Sequence, residues 1–225
     1  GGATGIEVAG ILSEMKKFVL PNDYPDMPSS LMHIYLIEAG PRLLAGMSEE
    51  SSAHAEQFLR EMGVNILLNK RVVDYRDHKV VLEDGTEIAT RTFIWVSGVT
   101  GVTIGNLDAS LIGRGGRIKV DSFNRVEGMN NVFAIGDQCI QLADENYPNG
   151  HPQLAQVAIQ QGELLAKNLI RMEKGQEMKP FHYRNLGSMA TVGRNRAVAE
   201  FSKVKMQGWF AWVMWLVVHL RSILG

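Results

Sequence analysis

The chain carries a single cysteine, Cys139, among its 225 residues. It can form no internal disulfide and has no Cys or His cluster at ligand spacing, which excludes a disulfide scaffold and a structural zinc centre and fits a reducing compartment. Neither sign of charge is in excess. With 23 Lys and Arg against 24 Asp and Glu, no global basic surface is available for a phosphate backbone, so nucleic acid is set aside as a partner. Long hydrophobic runs are scarce: the longest, Trp209 to Val218, has ten residues, well short of the ~20 that cross a bilayer. An initiator Met, a charged leader and an apolar signal core are lacking too. What remains, 45% hydrophobic and 21% charged, is the composition of a folded globular protein.

The chain opens on Gly1-Gly2-Ala3-Thr4-Gly5-Ile6-Glu7. Apolar residues Val8, Ile11, Leu12, Met15, Phe18 and Val19 follow at helical spacing, and Pro21 is expected to stop the helix. A glycine turn feeding a helix is the second half of a strand–turn–helix unit, so the chain reads as a fragment whose first strand lies outside it. His33 to Glu38 reads as a buried strand ending on an acid. A helix from Ser48 to Met62 and a strand from Val64 complete a β-α-β rhythm. Meander strands at Val72–Tyr75 and Lys79–Leu82 lead to an expected buried strand over 92–98. Further on come the strand Ile118–Val120, an apolar run Val132 to Asp137, a helix from about Gln153 to Met172, and a hairpin around Gly193-Arg194-Asn195.

Four clusters point to chemistry. Glycines at a strand-to-helix turn let a pyrophosphate approach backbone N–H groups at the positive end of a helix; Gly2 and Gly5 would be the second and third of the fingerprint. Glu38 would be the ribose-binding acid, further along than the ~20 residues of the simplest version because a proline-bearing insertion intervenes; it favours NADH over NADPH. Glu7 reads either as a carboxylate favoured by the helix dipole or as one facing the nicotinamide end of the site. Gly136-Asp137 offers close backbone approach and a carboxylate for sugar-type hydroxyls, or an ordinary strand-end turn. Cys139 reads as a small buried hydrophobe. The segment Pro152 to Gly162 places amides and small residues where helix N–H groups stabilise negative charge, with a solvated glutamine face as the plain alternative.

Taken together, Gly-Ala-Thr-Gly-Ile-Glu, Phe-Ala-Ile-Gly-Asp, Ala-Gln-Val-Ala-Ile-Gln-Gln-Gly and Gly-Ser-Met-Ala-Thr-Val-Gly-Arg-Asn-Arg-Ala-Val-Ala closely resemble the type II NADH dehydrogenases, single-subunit NADH:quinone oxidoreductases of the two-dinucleotide-domain flavoprotein group. The resemblance implies an α/β fold: a Rossmann-like NADH-binding domain at 1–100 with its first strand missing, the C-terminal part of an FAD-binding domain at 101–175, and a hairpin with a Trp-rich membrane or dimer helix at 176–225. It implies FAD held between NADH and a membrane quinone, without proton pumping. By that carry-over Gly2, Gly5 and Glu38 bind NADH, and Glu7 with the Val96-Ser97-Gly98 turn lies near the nicotinamide. Gly136 and Asp137 bind FAD, Ala155 and Gln156 edge the flavin, and Gln160 and Gln161 border the quinone. No metal is implied.

Two departures qualify this carry-over. The family's N-terminal FAD-binding half is missing and its C-terminal membrane helices are cut short, so the fragment itself is expected to be flavin-free and inactive. The parent enzyme is expected to lie peripherally on the cytoplasmic face of the cell membrane, with Trp209, Trp212 and Trp215 sweeping an apolar stripe that meets the membrane or, as a homodimer, a second copy. The rivals are a soluble NAD(P)H-dependent flavoprotein reductase of the disulfide-reductase group, whose redox Cys pair could only lie in the missing half, and a non-catalytic NAD-binding regulatory module.

Overall fold

The structure, a computed structural model, describes residues 1–202 and 204–224. The segments expected at 1–100, 101–175 and 176–225 group into two compact units, Gly1–Ser97 with Gly187–Gly225, and Gly98–Leu186.

In the first unit the glycine turn feeds α1 (Ala3–Glu14). Pro21 does not stop the helix. A π-helical turn, Met15–Val19, intervenes, and Pro21 then falls in the first turn of α2 (Leu20–Asp23), where its missing N–H costs nothing. Strands β1 (Ile34–Ile37) and β2 (Val64–Leu67) pair in parallel around α3 (Glu49–Glu61), the β-α-β rhythm read from the sequence. Ser48 caps α3 by accepting from the Ser51 N–H, and Gly63 leaves it at positive φ. Strands β3 (Val72–Arg76), β4 (Lys79–Leu82) and β5 (Glu87–Ala89) form the meander. The expected strand over 92–98 does not form. Its residues pair with no described strand, and Ile94, Trp95 and Val96 stand exposed, because an apolar run becomes a strand only beside a neighbour that takes its backbone hydrogen bonds.

The first unit is completed from the other end of the chain. Strands β6 (Ile118–Val120) and β7 (Cys139–Gln141) belong to the second unit, and β8 (Ser188–Gly193), β9 (Arg196–Phe201) and β10 (Val204–Gln207) form an antiparallel sheet back in the first. β8 and β9 are the hairpin expected around Gly193-Arg194-Asn195, turned by Asn195 at positive φ. Period-two alternation splits β9 between two cores. Val198 joins Ile6, Ala9, Leu36 and Leu59 on the α1 side, while Ala197 and Ala199 meet Ala211 and Trp212 of α5 (Gly208–Leu224). α1 approaches β8 so closely that a methyl at Gly10 would overlap the Val192 carbonyl oxygen.

The tryptophans do not share one bare stripe. Trp212 packs against β9 and β10, Trp215 lies on His219 with ring centroids 4.0 Å apart, and only Trp209 is bare, in a face that also holds Phe210, Val217, Leu220 and Leu224. Three-residue spacing steps each successive ring back by ~60°, so the three span an arc of ~120° that runs from the bare side at Trp209 to the sheet side at Trp212. No described helix is long and apolar enough to cross a membrane.

The second unit centres on the parallel pair β6–β7 and α4 (Ala155–Glu173). Its cores are Ile118, Val120, Val126 and Cys139, and Val157, Phe181 and Tyr183. The run Val132 to Asp137 is not a strand beyond one isolated bridge, Arg125 to Phe133: the backbone bonds from Val126 to Val132 and from Ala134 to Asn124 flank it, and the pairing extends no further.

Candidate functional site

In the first unit the expected nucleotide-binding residues converge. β1 delivers Glu38 to the mouth of the glycine turn, and its backbone is gripped on both sides, donating to the Leu67 carbonyl at 2.9 Å and accepting from the Lys70 N–H at 3.0 Å. The carboxylate accepts from the Gly40 N–H at 2.7 Å and lies 2.9 Å from the Gly1 amine. Burial pushes its pKa up, but the Gly40 N–H, the charged amine that Gly1 carries as the first residue of this segment, and the Ala39 N–H hold it below the ordinary carboxylate value. Gly1 carries a role that pattern reading missed: any Cβ there would overlap the Glu38 carboxylate. That requirement becomes visible only when the strand-end acid is placed.

Gly2 and Gly5 divide two further tasks. Gly2 precedes α1 with no side-chain cap, no acid stands in the first turn, and a Cβ on Gly2 would point into open space, so backbone N–H groups face outward. Gly5 is buried, and a Cβ there would touch Leu36 at 3.5 Å and Val96 at 3.4 Å, the close helix–strand packing asked of a third glycine. A pyrophosphate fits such a cradle and a ribose fits the acid beside it.

Glu7 is the fifth residue of α1, past the first turn, so the helix dipole does not account for it. Its half-buried carboxyl accepts from the Thr191 N–H of β8 and feels the charge of His219; burial raises its pKa and wins over both. His219 donates through Nδ1–H to the Trp215 carbonyl, 2.8 Å away. Ser97 and Gly98 are exposed where the chain passes from one unit to the other, with Gly98 at positive φ.

The second unit brings Gly136, Asp137 and the start of α4 together. Gly136 has φ of 65°, and a Cβ there would sit 3.2 Å from the Cβ of Ala158. Asp137 is exposed in a short 3-10 turn, and its carbonyl accepts from Gln153 Nε2 at 3.2 Å. α4 starts at Ala155 with no side-chain cap on Leu154, so the positive end of the helix lies at Ala155, beside Asp137. Glycine-turn, acid and uncapped helix end fit the sugar chain and electron-rich edge of a flavin. The glutamines are committed differently. Gln161 is 1% exposed and takes the Gly136 N–H at 2.7 Å, with Cys139 Sγ beside it. Gln160 pairs both amide atoms with the Arg184 backbone, and Gln156 Oε1 accepts from the Leu186 N–H at 3.0 Å. Cys139 is 1% exposed, and burial pushes its thiol pKa up: the small hydrophobe the sequence suggested.

A glycine turn, an uncapped helix and a strand-end acid define a dinucleotide-binding half-site of the kind built into nucleotide-dependent oxidoreductases. The chain belongs to the pyridine nucleotide-disulphide oxidoreductase family, which it matches over residues 1–162. Over 100% of its length it is 35% identical to a type II NADH:quinone oxidoreductase of Mycobacterium tuberculosis, covering 49% of that protein. It is 31% identical to the mitochondrial internal alternative NAD(P)H-ubiquinone oxidoreductase A1 of Arabidopsis thaliana, covering 47% of it. The chain therefore spans about half the length of the curated relatives it matches. Its fold is shared with NDH2 from Plasmodium falciparum in complex with NADH, at a TM-score of 0.88 and 20% identity over 100% of this chain and 61% of that one.

Proposed function

We propose that this chain is the part of an NADH:quinone oxidoreductase that binds NADH and one side of an FAD. The observation that carries the reading is Glu38, set by β1 and β2 beside a glycine turn whose helix end is uncapped. Gly1, Gly2 and the first N–H groups of α1 bind the NADH pyrophosphate, Gly5 lets α1 close on β1, and Glu38 accepts the ribose hydroxyls and disfavours a 2′-phosphate. Glu7, with Ser97 and Gly98, orients the nicotinamide end. Asp137, beside Gly136, binds the sugar chain of FAD, and Ala155 and Gln156 edge the flavin, where the positive end of α4 stabilises negative charge. Bound FAD would supply the carrier of two electrons from nicotinamide to quinone. Gln160 and Gln161 border the acceptor side by holding the backbone there, through Arg184 and Gly136, rather than by presenting free amides.

Much of an FAD site lies outside this chain, so the 225-residue segment alone retains no flavin, while the whole protein does. The bare apolar face of α5 lies on a membrane surface on the cytoplasmic side, with pairing of two copies as the competing use. The test of the function is the absorption spectrum of the whole protein before and after anaerobic NADH, then after a quinone. Bleaching by NADH and recovery on quinone are expected. A protein without flavin, or one whose flavin ignores NADH, overturns the reading.

A further inference from the structure

The second unit hides a hydrogen-bonded carboxylate–imidazole pair that the proposed chemistry does not use. Asp144 and His151 are 4% and 2% exposed, and His151 Nε2 donates to Asp144 Oδ2 at 3.0 Å. The carboxylate also accepts from the Asn146 N–H at 3.0 Å and from the Tyr183 N–H, which together hold its pKa below the ordinary value although burial pushes it up. Around the imidazole stand Tyr147, Phe181 and Tyr183, with ring centroids 5.1, 5.2 and 5.9 Å away. A buried hydrogen-bonded pair adds little net stability over apolar packing of the same shape, but its directional bonds admit one geometry. What that geometry fixes is readable from the neighbouring backbone.

The pair closes the loop from Asp144 to His151, assisted by backbone bonds from Tyr147 to Asp144 at 2.9 Å and from Gly150 to Tyr147 at 2.8 Å. From the His151 carbonyl, a bond of 3.2 Å leads to Arg117, whose Nε donates to the Cys139 carbonyl at 2.6 Å, two residues past Asp137. Two residues past His151, Gln153 Nε2 donates to the Asp137 carbonyl, and α4 starts at Ala155. The clasp is thus tied at both ends to the places where Asp137 and the first turn of α4 are set. We propose that Asp144 and His151 are positioning residues that hold the entrance of α4, and with it Ala155 and Gln156, in register with Asp137 for the flavin. This deepens the reading of that site given above and rests on it.

The test uses the whole protein with its FAD and two replacements at one position. His151→Phe keeps a ring in the aromatic box and removes the N–H offered to Asp144; His151→Gln keeps an N–H at similar reach. Melting temperature, FAD dissociation constant and the midpoint potential of the bound flavin are measured for each. His151→Phe is expected to weaken FAD binding by about tenfold, as when the group supporting a ligand is removed. It should also make the potential more negative as the helix-end donors withdraw; His151→Gln should restore most of both. A His151→Phe protein that melts lower but keeps its FAD affinity and potential makes the pair a core feature and overturns the proposal. Equal losses in both variants overturn it too. If His151→Phe does not fold, Asp144→Asn carries the test, with a smaller loss in the same direction expected and no loss overturning it. An unsubstituted protein that takes up no FAD instead overturns the functional reading itself.

Discussion

Glu38 and Glu7 are both carboxylates, and their surroundings drive them in opposite directions. Glu38 gains donors at the glycine turn that hold it below its ordinary pKa, and as the ribose-binding acid proposed above it would repel a 2′-phosphate and favour ribose hydroxyls. In the whole protein kcat/KM should be at least about tenfold higher with NADH than with NADPH, and Glu38→Gln should narrow that gap; roughly 1.4 kcal/mol of discrimination is enough for a tenfold ratio. Equal use of the two cofactors by the unsubstituted protein would remove Glu38 from the ribose site. Glu7 is pushed the other way by burial, against the Thr191 N–H and the charge of His219. With a folded pKa above the unfolded 4.5, ionised Glu7 costs stability at neutral pH, and the cost disappears as pH falls through the folded pKa. Glu7→Gln should therefore raise the melting temperature at pH 7, and the gain should fade on acidification toward pH 4.5; a gain unchanged across that range would show that charge is not its cause. Glu38 was legible because an acid closing an apolar run has few other reasons to be there. Gly1 was not, because its requirement arises from a side chain far along the chain. Asp144 and His151 were illegible for another reason: polar residues among Asn, Pro and Gly read as a solvated loop, and only packed rings show them buried.

At the scale of elements, local signals held wherever the chain supplies its own partner. β1 and β2 pair with each other, Ser48 caps α3, and the β8–β9 hairpin turns where Arg194-Asn195 demanded it. They failed at 92–98, because hydrophobicity records that a segment wants a neighbour and not whether one is at hand. Packing of α1 against β8 was hidden for a related reason: Gly10 looks like a weak point in a helix, yet it is the place where the helix axis meets the Val192 carbonyl. Gly10→Ala raises helix propensity by about 1 kcal/mol. The overlap with backbone outweighs it, and a net loss of about 1–3 kcal/mol is expected in chemical denaturation, the size of a core overpacked by one methyl. Stabilisation by this replacement would mean that α1 stands further from β8 than the structure has it.

For the whole molecule the open question is what covers α5. The helix is apolar apart from His219, Arg221 and Ser222 near its end, and the sheet of β8, β9 and β10 takes the side of Ala211 and Trp212. The opposite side leaves Trp209 53%, Phe210 72%, Val217 55% and Leu220 50% exposed. Each such side chain gains ~1.5–3 kcal/mol on burial, so several together drive the face out of water. No described helix is long and apolar enough to cross a membrane, and a Trp at the edge of an apolar face is at home at the interface. The structure also tells which substitutions test this without breaking the fold. Trp212 is packed against β9 and β10, and its replacement by Ser should cost about 3–5 kcal/mol whatever the helix binds. Phe210 and Val217 touch mostly solvent, so Phe210→Ser with Val217→Ser should leave the melting temperature nearly unchanged. In co-sedimentation with lipid vesicles, the whole protein should pellet with the vesicles and the Phe210→Ser, Val217→Ser variant should be released by about tenfold, while light scattering reports the assembly state of both. Release from vesicles at unchanged assembly state supports the membrane. A variant that stays on the vesicles but falls from dimer to monomer shows that a second copy, and not lipid, covers this face.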